Sequence, residues 1–195
     1  MFARNAAAIT ISATASGSPT PQITTDGTPV VNGDFLIKPN SPTITPIVGD
    51  GVDESTTWTF DFTEDTNFPF FSTSGALRSA FLTLELAGAD TSIITDTVQI
   101  EGLPLIVTDV IQELPLNSTS VVTLELLDFY SSNSILQAFE SGEFGQLSMR
   151  YTDDAVVSFA KLELVSTPEP ASALGLFTLG TLGTVSVLKR KGKES

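Results

Sequence analysis

Cysteine and histidine are both absent from the 195-residue chain. Without cysteine there are no disulfides, no thiolate metal ligands and no thiol nucleophile, and the redox compartment is left open. Without histidine the commonest general base and the commonest metal ligand are gone. Positive charge is scarce as well: nine Lys and Arg stand against 23 Asp and Glu, for a formal net charge of −14. Phosphate contacts need clustered cations, so this balance argues against a nucleic-acid partner. What is plentiful is serine, threonine and glycine, a composition that suits a β-rich extracellular domain better than a cytosolic helical one.

The few cations are unevenly placed. Lys189, Arg190, Lys191 and Lys193 crowd the C-terminus. Deleting residues 171–195 removes these four cations and one anion, Glu194, and takes the net charge from −14 to −17. The rest of the chain is therefore more acidic than the total suggests. Solubility is the plain consequence of that acidity, and binding of divalent cations or repulsion from anionic glycans is the sharper one.

Upstream of the basic cluster, Ala171–Leu188 carries no charge. As a helix this stretch would reach about 27 Å, close to the roughly 30 Å hydrocarbon core of a bilayer. Ser172, Thr178, Thr181, Thr184 and Ser186 dilute its apolarity, and Gly175, Gly180 and Gly183 interrupt it, which fits a transient anchor better than a permanent one. The cationic stop after it puts the C-terminus in the cytoplasm and the acidic part outside. Just before the span, Pro168-Glu169-Pro170 can continue neither strand nor helix, because each proline lacks an N–H and biases its predecessor to extended backbone. The triplet is a stiff, accessible break where a processing enzyme can grip the chain.

Thr167-Pro168-Glu169-Pro170-Ala171, the glycine-interrupted span and Lys189-Arg190-Lys191, in that order, resemble the PEP-CTERM sorting signal. The resemblance implies a bacterial source, recognition by an exosortase-type membrane transpeptidase, cleavage near the motif, and delivery to the cell surface or exopolysaccharide matrix. An ordinary tail-anchored helix and a buried core helix are the alternatives. At the other end, Arg4 and the short apolar stretch Ala6–Ile11 make an incomplete export signal. Residues 1–8 are therefore expected to be the remnant of a signal peptide, with Met1 a late start inside a longer leader.

Residues 9–166 alternate apolar and polar residues in short runs, the signature of half-buried strands. Trp58, Phe60 and Phe62 share one face against Thr57, Thr59 and Asp61. Leu82, Leu84 and Leu86 alternate likewise, as do Val98 and Ile100, then Val122, Leu124 and Leu126, then Leu147, Met149 and Tyr151. The last run places Val156, Ala160, Leu162 and Leu164 on one side, with Phe159 and Val165 opposite, as in a strand covered on both faces. Glycine-rich turns separate the runs. Ser134 and Gln137 form a capping pattern ahead of one short helix at Ser134–Phe139. The expected architecture is all-β: one antiparallel β-sandwich, jelly-roll-like, followed by a single C-terminal hydrophobic helix within the sorting signal of residues 167–195.

Catalysis is not expected. No nucleophilic triad can be assembled, and Glu85 and Glu125 fall opposite apolar neighbours, as solvated acids do. Paired carboxylates of the glycosidase kind would have to come from Asp61, Asp65, Glu85, Asp90, Asp96 or Glu125. No cofactor is required, but calcium is the better use of the acids, with Asp153 and Asp154 before the last strand and Asp50, Asp53 and Glu54 in a glycine-containing loop. The runner-up function is a carbohydrate-binding module docking to exopolysaccharide, calcium-dependent or not. The closing stretch Gln146–Leu164 loosely resembles the last strands of jelly-roll domains on sorted surface proteins and carbohydrate-binding modules. Sugar stacking would need an exposed ring from Trp58, Tyr130 or Tyr151, for which the core is the competing destination.

Overall fold

In the computed structural model, residues 8–40, 47–71, 75–89 and 96–166 are described. The alternating runs form nine strands: β1 (Thr10–Ser16), β2 (Val30–Asn32), β3 (Phe35–Pro39), β4 (Glu54–Asp61), β5 (Leu77–Gly88), β6 (Thr97–Ile100), β7 (Thr119–Glu125), β8 (Gln146–Asp153) and β9 (Ala155–Ser166). Among the described residues two short α-helices interrupt them, α1 (Asp109–Gln112) and α2 (Ser132–Ser141), with 3-10 turns at Phe68–Phe70 and Leu126–Asp128. The strands assemble into two antiparallel sheets, one ordered β1-β9-β5-β7 and the other β2-β3-β4-β8-β6. The described residues form an all-β sandwich. From β4 onward each successive strand lies in the sheet opposite to the one before it.

Alternation decides which residues fill the space between the sheets. Trp58, Phe60 and Phe62 point inward from β4 and the residue after it, meeting Leu82, Leu84 and Leu86 of β5 and Leu147, Met149 and Tyr151 of β8 in one core. Every one of these side chains is buried. Phe35, Trp58, Phe60 and Phe62 follow one another along the inner face at ring-centroid spacings of 5.7, 6.0 and 6.3 Å, edge-on or tilted rather than stacked. Phe139 of α2 ends the series 5.5 Å from Phe62. Phe68, Phe71 and Phe144 close around Phe139, so this end of the sandwich is sealed by rings.

Two details depart from the sequence pattern. The pairing of β5 with β9 slips between Glu85 and Leu86, where Glu85 faces Phe159 but Leu86 faces Val157. This bulge inserts one residue and reverses the alternation, so Ala155 and Val157 face the core in place of Val156. β9 is central in its sheet, but Phe159 and Val165 on its outer face are only half-buried, not covered. The longer helix also starts earlier than the capping pattern suggests. Ser131 is the N-cap, its hydroxyl accepting from the Ser134 amide at 3.1 Å, and Ile135, Leu136 and Phe139 form the buried face.

The predicted leader remnant, but for Ala8, and the whole predicted tail with its hydrophobic helix lie outside the described residues. Among the described residues no helix is long and apolar enough to cross a membrane.

Candidate functional site

The sandwich end opposite the aromatic seal is acidic. β4 runs from Glu54 to Asp61 and pairs with β8 so that Glu54 faces Asp153 while Asp61 faces Gln146. Eight strand residues separate the two ends by roughly 25 Å. Three segments meet at the acidic end: the loop entering β4, the residue entering β6, and the corner where the chain leaves β8 for β9.

The loop is shaped around Glu54. Gly49 and Gly51 hold φ of +98° and +83°, a region open to glycine, which turns successive amides inward. The amides of Gly49, Asp50 and Gly51 all donate to the Glu54 carboxylate, the last two at 3.2 and 3.1 Å. Burial is the larger influence on this acid and pushes it up to about 7, against the lowering effect of the three amides. The next corner residue, Asp53, has φ +52°.

At the β8–β9 corner only Asp154 separates the last residue of one sheet from the first of the other. Asp153 takes φ +113°, a conformation that costs a side-chain-bearing residue on the order of 1–3 kcal/mol. Its neighbours hold the corner on several sides. The Asp154 amide donates to Asp96 at 2.8 Å, the Asp154 carbonyl accepts from the Ala89 amide at 3.0 Å, and the Asp154 carboxylate accepts from the Asp53 amide at 3.3 Å. Asp96 is itself anchored through its carbonyl, which accepts from the Gln112 side chain of α1 at 2.6 Å.

The outcome is a tight acidic group. One carboxylate oxygen each from Asp53, Asp153 and Asp154 lies within 4.8 Å of the others. Asp153 is 0 % exposed, and neither of its carboxylate oxygens has a hydrogen-bond partner. Burial first, then the charges of Asp154, Asp96 and Asp53, raise its pKa to about 7. Burial likewise raises Asp96. The Tyr151 hydroxyl is buried beside Asp96 but makes no well-formed hydrogen bond, and burial together with these carboxylates drives its pKa far upward.

A second feature is a groove of about 880 Å³ between β1 and β4, lined by hydroxyls and by Asp34, Asp61, Glu64, Asp65 and Glu101. Its floor includes Trp58, whose indole N–H is buried without a partner. Two of its acids serve local structure. Asp61 accepts from the Thr63 amide and hydroxyl, and Asp65 from the amides of Ser12 and Asn67.

Of the residues singled out in the sequence, Asp153 and Asp154 are joined by Asp53, from 100 positions upstream in the chain, while Glu54 and Asp50 serve their own loop. Asp96, weighed in the sequence only as a glycosidase-type acid, turns out to brace the corner. Glu125 accepts from the amides of Ala80 and Leu127, which ties β5 to the turn after β7. Trp58, Tyr130 and Tyr151 are 3, 6 and 0 % exposed, so none presents a ring face to a sugar. Pro168, Glu169, Pro170 and the basic cluster at Lys189, Arg190, Lys191 and Lys193 lie outside the described residues.

No curated protein and no solved structure matches the chain. Residues 166–191 do match a family model, that of the PEP-CTERM protein-sorting motif, and so the chain bears at its C-terminal end the signal of an exported protein sorted through exosortase.

Proposed function

We propose that this protein is a non-catalytic component of the bacterial cell surface or extracellular matrix. It is exported, held in the membrane by residues 171–188 with its C-terminus cytoplasmic, and then cut near Pro168-Glu169-Pro170. The observation that carries this reading is the match over residues 166–191, which coincides with a proline-bounded break, an uncharged span and a basic stop. The chemistry of the body agrees with a non-catalytic role: the chain has no histidine or cysteine, and its candidate acids at Asp61, Asp65 and Glu125 are engaged by backbone amides. The strand order supports a jelly-roll arrangement. With the β2–β3 hairpin set aside as an edge addition, the chain passes from sheet to sheet at every strand from β4 on, as a wrapped pair of Greek keys does.

Two epitope tags in the native host test the sorting claim, one in the exposed turn at Gly27 and one after Ser195. The mature surface protein is expected to keep the first and lose the second. Replacing Pro168-Glu169-Pro170 with three alanines should leave both tags on a membrane-bound precursor. Persistence of the C-terminal tag on the unaltered surface protein would rule the processing step out.

The groove between β1 and β4 favours a second reading, docking to exopolysaccharide. Its hydroxyl- and carboxylate-rich walls match the hydrogen bonding of a glycan, though without an aromatic platform.

A further inference from the structure

We propose that Asp53, Asp153 and Asp154 form a binding site for a hard divalent cation, calcium in the first place, that clasps the corner joining the two sheets. The site stands on the geometry of the body and does not depend on the fate of the tail.

Clustered acids alone do not make a metal site, since most are solvated. Asp153 is the exception that matters. It is fully buried, both its oxygens lack a hydrogen-bond partner, and it shares a 4.8 Å neighbourhood with an oxygen of each of the other two carboxylates. A buried carboxylate without a partner is among the costliest groups a fold can hold. A protein relieves that cost with hydrogen-bond donors, with a cationic side chain, with a bound cation, or by protonating the acid, the last being the outcome in which no calcium binds. Donors are not supplied, although the neighbouring Glu54 receives three amides a single strand away. A cationic side chain is not supplied either. Among the described residues the ion pair formed is Lys161–Glu163, and Arg150, the basic residue nearest in sequence, alternates to the opposite face of β8 from Asp153.

The backbone points the same way. Asp53 and Asp153 are both held at positive φ, a region that aspartate tolerates at φ +52° but that glycine would occupy more easily at φ +113°. Two aspartates there, on different segments and brought to one point, are what a ligand set requires and what a turn does not. The donors are all oxygens, and the chain offers no imidazole or thiolate anywhere, which selects hard cations over zinc, copper or iron. Calcium accepts irregular sets of carboxylates, whereas magnesium demands a near-ideal octahedron and keeps much of its water. A bound ion would tie the loop before β4 to the single-residue link between β8 and β9. Its principal effect is therefore on the stability of the sandwich, in the affinity class of extracellular calcium modules, Kd about 0.1–1 mM.

The test uses the full chain in mild detergent, stripped with a chelator and titrated with calcium chloride at fixed ionic strength. Equilibrium dialysis should find one calcium per chain in this affinity range. The melting temperature should rise by about 5–10 °C when calcium stands 100-fold above Kd. Asp53→Asn, at a half-exposed position, should fold normally and weaken calcium binding at least about tenfold through loss of one charged ligand. Asp153→Asn should abolish the calcium-dependent rise, and its calcium-free form should melt no lower than the unaltered protein because a buried charge has gone. A folded, unaltered chain that binds no calcium and shows no shift at about 10 mM would overturn the proposal. So would full affinity in both variants. Magnesium binding as tightly as calcium would overturn the assignment of the ion.

Discussion

Replacing Phe139 with alanine is expected to lower the unfolding free energy by about 3–5 kcal/mol, read as a shift in the urea midpoint at unchanged slope. Phe139 is fully buried on α2 and touches the rings of Phe62, Phe68, Phe71 and Phe144 at centroid distances of 5.5 to 6.3 Å. Truncation leaves a ring-sized void at the end of the aromatic series and loosens the helix that seals it. The neighbouring Phe70→Ala supplies the contrast. Phe70 is 70 % exposed, and its loss should change stability by no more than about 0.5 kcal/mol. Equal effects at the two positions would mean that α2 does not close the core.

That contrast bears on how much the sequence reveals. Periodicity separates Trp58, Phe60 and Phe62 from Thr57, Thr59 and Asp61 because alternation is a local property of a strand, and those faces are the ones the fold uses. It does not separate Val156 from Val157. A bulge depends on how β9 pairs with β5, some 70 residues away, and both valines look alike in the pattern. In the same way Phe68, Phe70 and Phe71 are indistinguishable in sequence, yet two of them pack on the core and Phe70 does not. Local rules also misplace the helix cap by one turn, because Ser131 and Ser134 are both acceptable caps by residue type.

The two functional features differ for the same reason. The sorting signal is a linear code, in which a proline-bounded triplet, an uncharged span and basic residues act in order along the chain, so residues 166–191 carry it without reference to the fold. The acidic cluster is a tertiary object. Asp153 and Asp154 stand out as a pair before a strand, and Asp53 stands out in a glycine-rich loop, but nothing local joins them. The joining is done by the register of β4 with β8, which sets Glu54 opposite Asp153 and so brings the residue before one strand to the end of the other. Burial of Asp153 is likewise invisible in sequence, since an Asp-Asp pair in a turn usually faces water.

Replacing Gly49 with alanine should be the most damaging small change at the acidic end, costing about 3 kcal/mol or more of stability. Three effects add there. Gly49 holds φ +98°, where a Cβ is strained by about 1–2 kcal/mol. That Cβ would stand 2.2 Å from the carbonyl oxygen of Gln22, a backbone atom that cannot turn away as a side chain would. The loop must therefore shift, and the Gly49 amide it carries is one of the three donors to the buried Glu54. A buried carboxylate that loses a donor pays about 1–3 kcal/mol. Gly27→Ala isolates the first effect, because Gly27 has φ +74° but its Cβ would meet nothing within 4 Å. Thermal or urea unfolding of the two variants therefore measures the loop's close fit as a difference, with backbone strain common to both. A Gly49 variant no worse than the Gly27 one would show that the amides around Glu54 can be displaced without cost. A clearly larger loss, accompanied by weaker calcium binding, would show that the loop holding Glu54 also holds Asp53 in place against the corner at Asp153.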